Sequence, residues 1–462
     1  MIRILLSLSL LSIIACTGTP GECPTVFFGG EIVNPTSEFV VLYRNDSYID
    51  SVKLDEGNRF SFKLQGIEEG LYHFDHSPEL QYLYLQEGDS ILIRLNTVEF
   101  DESLVFTGQG SEINNFLIEM FLTHEEEEQE IYSYYHLAPD EFHAKLDSLQ
   151  AIKTTQLNNF LAENELSEKA INLVKASVNF QSFKHRETYP FYYKKKSGLS
   201  TFPDLPEDFY AYRETIDFND SELAYFRPYF DYVKYHFGNI SYMACMNGCG
   251  DMEETKEEVG RLHYNKHKLF LVDSLVQDDQ LRNLLFRNIA MDYLLKEHSA
   301  SEECQIFLKK FQKLSSDEDH KEEIADLYEG IQNLQPRSAL PNLVVTNMDN
   351  EPVNLKDISK EKQTVFYFWT GSQRRHLKNV AKHVAKLQEK HPEYRFVGIN
   401  VKTSYTQWQN LLAEYNLNPE NQFYGADFEE IQTSLILDDL YKCVIAKDTL
   451  VVDAFASLYY SF

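Results

Sequence analysis

Between residues 25 and 107, short apolar or alternating runs recur with turn residues between them. The runs are Phe27-Phe28, Phe39–Leu42, Phe60–Leu64, Leu71–Phe74, Leu80–Leu85, Ile91–Leu95 and Leu104–Phe106. Gly29-Gly30, Asn45-Asp46, Glu56-Gly57-Asn58 and Glu87-Gly88-Asp89 punctuate them. Short strands at this regular spacing predict an antiparallel β-sandwich over residues 25–110.

From 111 to 337 the period becomes helical. Asn115–Leu122 opens one helix. Residues 142–161 carry Phe142, Leu146, Leu149, Ile152, Leu157 and Phe160 at helical spacing. Further helices are predicted around 167–185, 221–245, 258–276, 280–297, 303–314 and 319–334. Pro190, Pro203, Pro206 and Pro228 are expected to interrupt an aromatic-rich connection. From 338 to 462 strand and helix alternate. Leu343–Val345 and Pro352–Leu355 flank a turn at Asp349-Asn350, and Val365–Trp369 is a buried strand. Leu377, Val380, Val384 and Leu387 mark one face of a helix. Arg395–Ile399 is a second central strand and Trp408–Leu412 lies on a crossover helix. Val444-Ile445 and Leu450–Val452 form a closing hairpin. The prediction is a multidomain α+β chain: sandwich, helical middle region, then an α/β domain with right-handed crossovers.

Composition narrows the function classes. The net charge is −29, with 72 acidic and 43 basic residues, and the only basic block is Lys194-Lys195-Lys196. Phosphate contacts need clustered Lys and Arg, so no nucleic acid partner is expected. Residues 1–15 read as a signal peptide, with Arg3 ahead of an apolar stretch, Ile4–Ile14, too short to span a membrane. It ends in Ile13-Ile14-Ala15-Cys16, which resembles the bacterial lipobox. The resemblance implies that Cys16 is the acylated N-terminus and that 16–24 is a tether. The expected partner is then a lipid bilayer reached through one acyl anchor. Beyond Cys16 the cysteines are Cys23, Cys245, Cys249, Cys304 and Cys443, an odd number for an exported chain.

The candidate chemistry centres on Phe366-Tyr-Phe-Trp-Thr-Gly-Ser-Gln-Arg-Arg-His376. An apolar strand runs into a turn and then into a helix that opens basic. This resembles the FWAxWCxxC signature of thioredoxin-like thiol-disulfide oxidoreductases. Phe368-Trp369 match its Phe-Trp, and the two cysteine positions fall on Gln373 and His376. The cis-proline that the family sets against its cysteines has no counterpart in Asp438–Ile445. Thiol exchange needs a thiolate at the helix N-terminus and a resolving thiol three residues on. An amide and an imidazole supply neither, which implies a degenerate redox site. The sandwich also resembles the β-domain that precedes thioredoxin-like domains in Bacteroides-type envelope lipoproteins. Gly30-Glu-Ile32, Asp50-Ser-Val52 with Gly57–Phe62, and Phe106-Thr-Gly108 with Asn114-Asn115 carry that likeness. Ile216–Leu223 with Tyr229–Val233 resembles the same proteins' middle segment.

Other constellations are weighed alongside. Arg374, Arg375 and His376 could bind an anionic group at a helix N-terminus, or be solvated first-turn residues, since cations oppose the dipole there. Cys245 and Cys249 could form a short-loop disulfide, contribute to a metal site or stay unpaired. Cys443 reads as a small core residue. His124-Glu-Glu-Glu-Glu-Gln-Glu130 has the carboxylates for a hard cation but not the alternating pattern, and reads as a solvated face. His376 and His383 share a helix face without a third ligand. No Gly-x-Ser-x-Gly, P-loop or dinucleotide fingerprint occurs, and no metal or cofactor is expected.

The resemblance implies a redox-inactive, thioredoxin-like lipoprotein of the cell envelope. It would be anchored on a periplasm-facing membrane, the outer membrane favoured, and act as a binding or scaffolding protein for an envelope protein or peptide. The expected docking residues are Ser372, Arg374, Arg375, Leu440 and Tyr441. The alternatives are an oxidoreductase whose reactive thiol lies elsewhere, other chemistry centred on His376, and ligand binding by the aromatic-rich middle segment.

Overall fold

A computed structural model describes residues 25–77, 79–248, 260–360 and 362–462. Cys16, Cys23 and Cys249, and with them the lipidation, tether and short-loop disulfide expectations, lie outside the described residues. The chain divides into two compact units, 1–236 and 237–462.

The first unit opens with eight strands: β1 (Thr25–Val33), β2 (Phe39–Arg44), β3 (Ser47–Lys53), β4 (Arg59–Gln65), β5 (Gly70–His76), β6 (Glu79–Leu85), β7 (Ser90–Asn96) and, after a single helical turn α1 (Phe100–Ser103), β8 (Val105–Gln109). They form two four-stranded sheets, ordered β4-β1-β7-β8 and β3-β2-β5-β6. Alternation fixes which face is apolar: in β4, Phe60, Phe62 and Leu64 are buried and their neighbours exposed. These side chains, with Phe28, Leu42, Phe74, Leu83 and Ile93, make one apolar core fed by both sheets. The expectation of purely antiparallel pairing needs correction, because β1 and β7 run parallel. The chain leaves the first sheet after β4, passes through β5 and β6 in the other, and returns in the sense of β1. Gly30 permits the close approach of that pair: a Cβ there would sit 2.2 Å from the carbonyl oxygen of Ile93. β3, polar and exposed along most of its length, carries too weak an apolar signal to be predicted.

Helix α2 (Ser111–Tyr134) joins the two sheets through its first turn. The Asn114 amide donates to the Tyr84 carbonyl at 3.0 Å and accepts from the Tyr84 N–H at 2.7 Å. Asn115 treats Phe106 in the same way, at 2.9 and 3.1 Å. Each side chain thus imitates a neighbouring strand for one backbone residue of β6 or β8.

Helices α3 (Pro139–Glu163) and α4 (Glu168–Ser197) follow, and α5 (Arg227–Met246) crosses the boundary between the units. Two local expectations are corrected here. Pro190 does not interrupt the chain: α4 runs through it, and Tyr189 beside it is fully buried against Phe142 and Phe209. Packing outweighs the lost backbone bond. Ile152 is exposed, and Lys153 takes the inward position, its ammonium on Glu127 of α2. Pro228 stands in the first turn of α5, where a proline is tolerated. The aromatic-rich connection packs on itself, with Phe183 stacked on Tyr212 at 4.3 Å and Phe180 edge-on to Tyr229 at 4.9 Å.

In the second unit come helices α6 (Arg261–Leu275), α7 (Asp279–Glu297), α8 (Glu302–Leu314) and α9 (Glu318–Asn333). Then β9 (Val344–Thr346), β10 (Pro352–Asn354) and the turn α10 (Leu355–Ile358) lead to β11 (Gln363–Trp369), α11 (Arg374–Lys390), β12 (Tyr394–Asn400), α12 (Tyr405–Glu414), β13 (Gln422–Tyr424), α13 (Phe428–Leu435), β14 (Lys442–Lys447) and β15 (Leu450–Ser457). The seven strands are ordered β10-β9-β13-β12-β11-β14-β15. β11 lies at the centre, parallel to β12 and antiparallel to β14. The β-α-β-α-β-β order expected from the sequence recurs as β11-α11-β12-α12-β14-β15, with β13 and α13 inserted between α12 and β14. No helix among the described residues is long and apolar enough to cross a membrane.

Candidate functional site

The site lies at the C-terminal end of β11, where six of seven residues are buried. A buried polar ladder supports that end. The Trp369 indole N–H donates to Gln422 Oε1 at 2.9 Å, and Gln422 Nε2 donates to the Tyr367 hydroxyl at 2.7 Å. Burial pushes the Tyr367 phenol up to about 12, against the bond from Gln422. The turn that follows is fixed by Thr403 after β12: its Oγ1 accepts the Gly371 N–H at 2.8 Å and the Asn400 amide at 3.2 Å. A Cβ on Gly371 would lie 2.9 Å from the side chains of Leu411 and Thr403 and would have to displace them, so the turn favours glycine by close approach.

Helix α11 then begins. Gln373 precedes its first residue, is exposed, and makes no side-chain cap. Ser372, Arg374 and Arg375 are also exposed. Arg374 is paired with Glu414 at the end of α12, at 2.7 Å, a partner far away in sequence that no local pattern could indicate. Leu440 is half-buried and Tyr441 exposed. Of the predicted docking set, the structure therefore leaves Ser372, Arg375 and Tyr441 open and engages Arg374.

His376 corrects the reading of solvated first-turn residues. It is only 9% exposed, and neither ring nitrogen has a hydrogen-bond partner among the described residues. The Tyr441 ring closes over it edge to face, centroids 5.3 Å apart. Burial pushes the imidazole below its ordinary pKa, with Asp439 pulling the other way. His383 does share the face, but its Nε2 lies 3.0 Å from the Leu458 carbonyl oxygen and its ring stacks on Tyr459. No group of three or more His, Cys, Asp or Glu able to hold a metal ion occurs among the described residues.

Where the resemblance implies a cis-proline, a carboxylate turn enters β14. Asp439 Oδ1 accepts the N–H groups of Tyr441 and Lys442 at 2.6 and 2.9 Å. The buried Lys442 ammonium donates to the carbonyls of Leu435 and Ile436 at the end of α13, where a cation meets the negative end of the helix. Burial pushes it down to about 8. Cys443, wholly buried opposite Tyr367, has its thiol pushed up to about 12 by burial. Cys304 is buried in the first turn of α8, and Cys245 is buried in α5. On α2, His124 lies 2.9 Å from the Ser177 carbonyl oxygen and Glu127 is paired with Lys153, so part of the acidic run is engaged in packing.

In comparisons with known proteins, no protein family and no curated protein matches the sequence. Solved structures match in part. A thioredoxin-like protein from Bacteroides caccae is 14% identical over 56% of this chain and 94% of its own, with a TM-score of 0.32. The thioredoxin domain of a thiol-disulfide oxidoreductase from Bacteroides vulgatus is 15% identical over 26% of this chain and 88% of its own, TM-score 0.23. A thiol:disulfide interchange protein from a Bacteroides species is 14% identical over 26% and 81%, TM-score 0.23. Over part of its length, the chain is thus similar to thioredoxin-like proteins of Bacteroides.

Proposed function

We propose that this protein is a thioredoxin-like envelope lipoprotein without dithiol chemistry, acting as a binding or scaffolding protein. The observation that carries the reading is His376. Where the degenerate motif would set the resolving thiol stands an imidazole with both nitrogens enclosed, and the exposed Gln373 before it has no ionisable nucleophile. Cys443, two residues past Tyr441 in the chain, is a buried protonated thiol. The two sheets of the first unit are read as the β-sandwich that precedes such domains, followed by the helical region 111–337 and the thioredoxin-like domain 338–462. Cys16 is the acylated N-terminus, facing the periplasm from the outer membrane, and the partner is an envelope protein or peptide. The open turn at Ser372 and Arg375 beside Tyr441 is the docking surface.

The test is insulin-disulfide reduction by dithiothreitol. The mature protein should not accelerate it beyond a non-catalytic control. A catalytic rate that disappears on replacing Cys245, Cys249, Cys304 or Cys443 would give the protein a relocated redox site and overturn the reading. Docking is tested by crosslinking in intact cells: Arg374→Glu with Arg375→Glu should weaken recovery of whatever crosslinks to the native chain. Mass spectrometry of the membrane form should find acyl groups on Cys16 as the first residue.

A further inference from the structure

The function above leaves one motif of the sequence unused. Lys194-Lys195-Lys196 is the only run of three basic residues in a chain of net charge −29. It forms the last turn of α4. Cations favour a helix C-terminus, and this accounts for the charge alone. It does not account for what surrounds it. The ends of α2 and α4 meet here: Lys196 Nζ donates to the Tyr132 carbonyl at 2.9 Å and lies 3.7 Å from the centre of that ring. Tyr132 is 52% exposed, Tyr192 is 40% exposed, and the two rings meet edge to face. Leu199, just beyond the helix, is 42% exposed. Lys194 sits over Phe202 at 4.5 Å. Glu128 and Glu130, both exposed within a turn of Tyr132, subtract two charges from the three lysines and leave the cluster positive.

We propose that this lysine and tyrosine cluster at the joined ends of α2 and α4 is a contact surface for an anionic lipid bilayer. Lysine heads with amphipathic aromatic rings beside them match the two layers of a membrane interface: headgroup charge, and the boundary just beneath it. An acidic protein surface would satisfy the lysines but would leave Tyr132, Tyr192 and Leu199 without a reason to be exposed together. The strongly acidic remainder of the chain is repelled by anionic lipid, so the cluster would set which side faces the bilayer. Each lysine near such a surface contributes a factor of roughly five in partitioning, and three together on the order of a hundredfold.

The test uses the full chain carrying Cys16→Ser, so that no acyl chain contributes. Flotation is measured with vesicles of phosphatidylcholine alone and with phosphatidylglycerol added, at about 0.05 M and about 0.5 M salt. The protein should float with the anionic vesicles at low salt, stay behind with the neutral ones, and be released by salt. Lys194→Gln, Lys195→Gln and Lys196→Gln together should reduce flotation on the order of a hundredfold. Leu199→Asp, in an exposed position outside the helix, should weaken it with the fold intact by circular dichroism. No flotation at low salt, or flotation unchanged in the triple variant, overturns the proposal. Retention on immobilised polyglutamate without vesicle binding would assign the face to an acidic protein and overturn it equally.

Discussion

The ring of Tyr441 meets the ring of His376 edge to face, with centroids 5.3 Å apart and planes at 81°. Tyr441 in turn touches Tyr459 at 5.5 Å, and Tyr459 stacks on His383 at 4.4 Å. A line of rings therefore covers the first half of α11 on the side of β14. His376 is the member of this line whose buried nitrogens meet no hydrogen-bonding protein group among the described residues, an arrangement that costs free energy.

His376→Leu should therefore stabilise the second unit by about 1–2 kcal/mol near neutral pH. Both tryptophans, Trp369 and Trp408, lie in this unit, so their fluorescence isolates its urea transition. The gain should grow on acidification. His376 has a folded pKa below the ordinary 6.5, so the unfolded chain takes up the proton first as pH falls. Stability is present above about pH 6.5 and is lost as pH drops below it. The half-buried His267 and His298 act in the same sense, so the variant should keep part of the slope. An unchanged or lower midpoint in the leucine variant would mean that the imidazole has a partner.

Gln422→Leu should cost about 2–4 kcal/mol, since it strands the Trp369 indole N–H and the Tyr367 hydroxyl together. The emission of Trp369 should change even where the unit remains folded. A loss under about 0.5 kcal/mol would show the ladder to be dispensable.

Glu187 of α4 is a fully buried carboxylate that accepts from Tyr212, Arg213 and His236. Burial pushes its pKa up, but the bonds from His236 and Arg213 prevail and hold it below the usual range. Arg213→Met leaves that charge under-compensated and should cost about 3–5 kcal/mol. Hydrogen exchange along α4 reports it. Adding Glu187→Leu should recover part of the loss, and a strictly additive double variant would count against direct coupling.

Gln373→Cys with His376→Cys should convert the protein into a dithiol catalyst of insulin reduction. The turn is fixed by Thr403 and Gly371 independently of the side chains at 373 and 376, and a thiol before the first turn of α11 meets the positive helix end. The expected rate is modest, since the Asp439 turn stands where the sequence resemblance implies a cis-proline. If the double variant closes no disulfide, the turn does not hold the two positions in reach.

The sequence by itself determined the periodicities, and these are set locally. Alternation in β4 and β7, helical spacing in Leu377–Leu387, and a glycine in the turn after Trp369 all follow from which residues can face a core. The absence of a cysteine at Gln373 and His376 was equally legible, because it depends on residue type alone. Tertiary structure decided the rest. β3 is held by its pairing with β2, not by apolar content. Pro190 continues a helix because Tyr189 and its neighbours pack there, and Ile152 yields its inward place to Lys153 because Glu127 waits on another helix. Asn114 and Asn115 become strand partners only once two sheets lie beside α2. Arg374 is claimed by Glu414, and His376 is enclosed by Tyr441. Each of these depends on a partner brought from elsewhere in the fold, and burial and pairing energies across such distances leave no periodic trace in the chain.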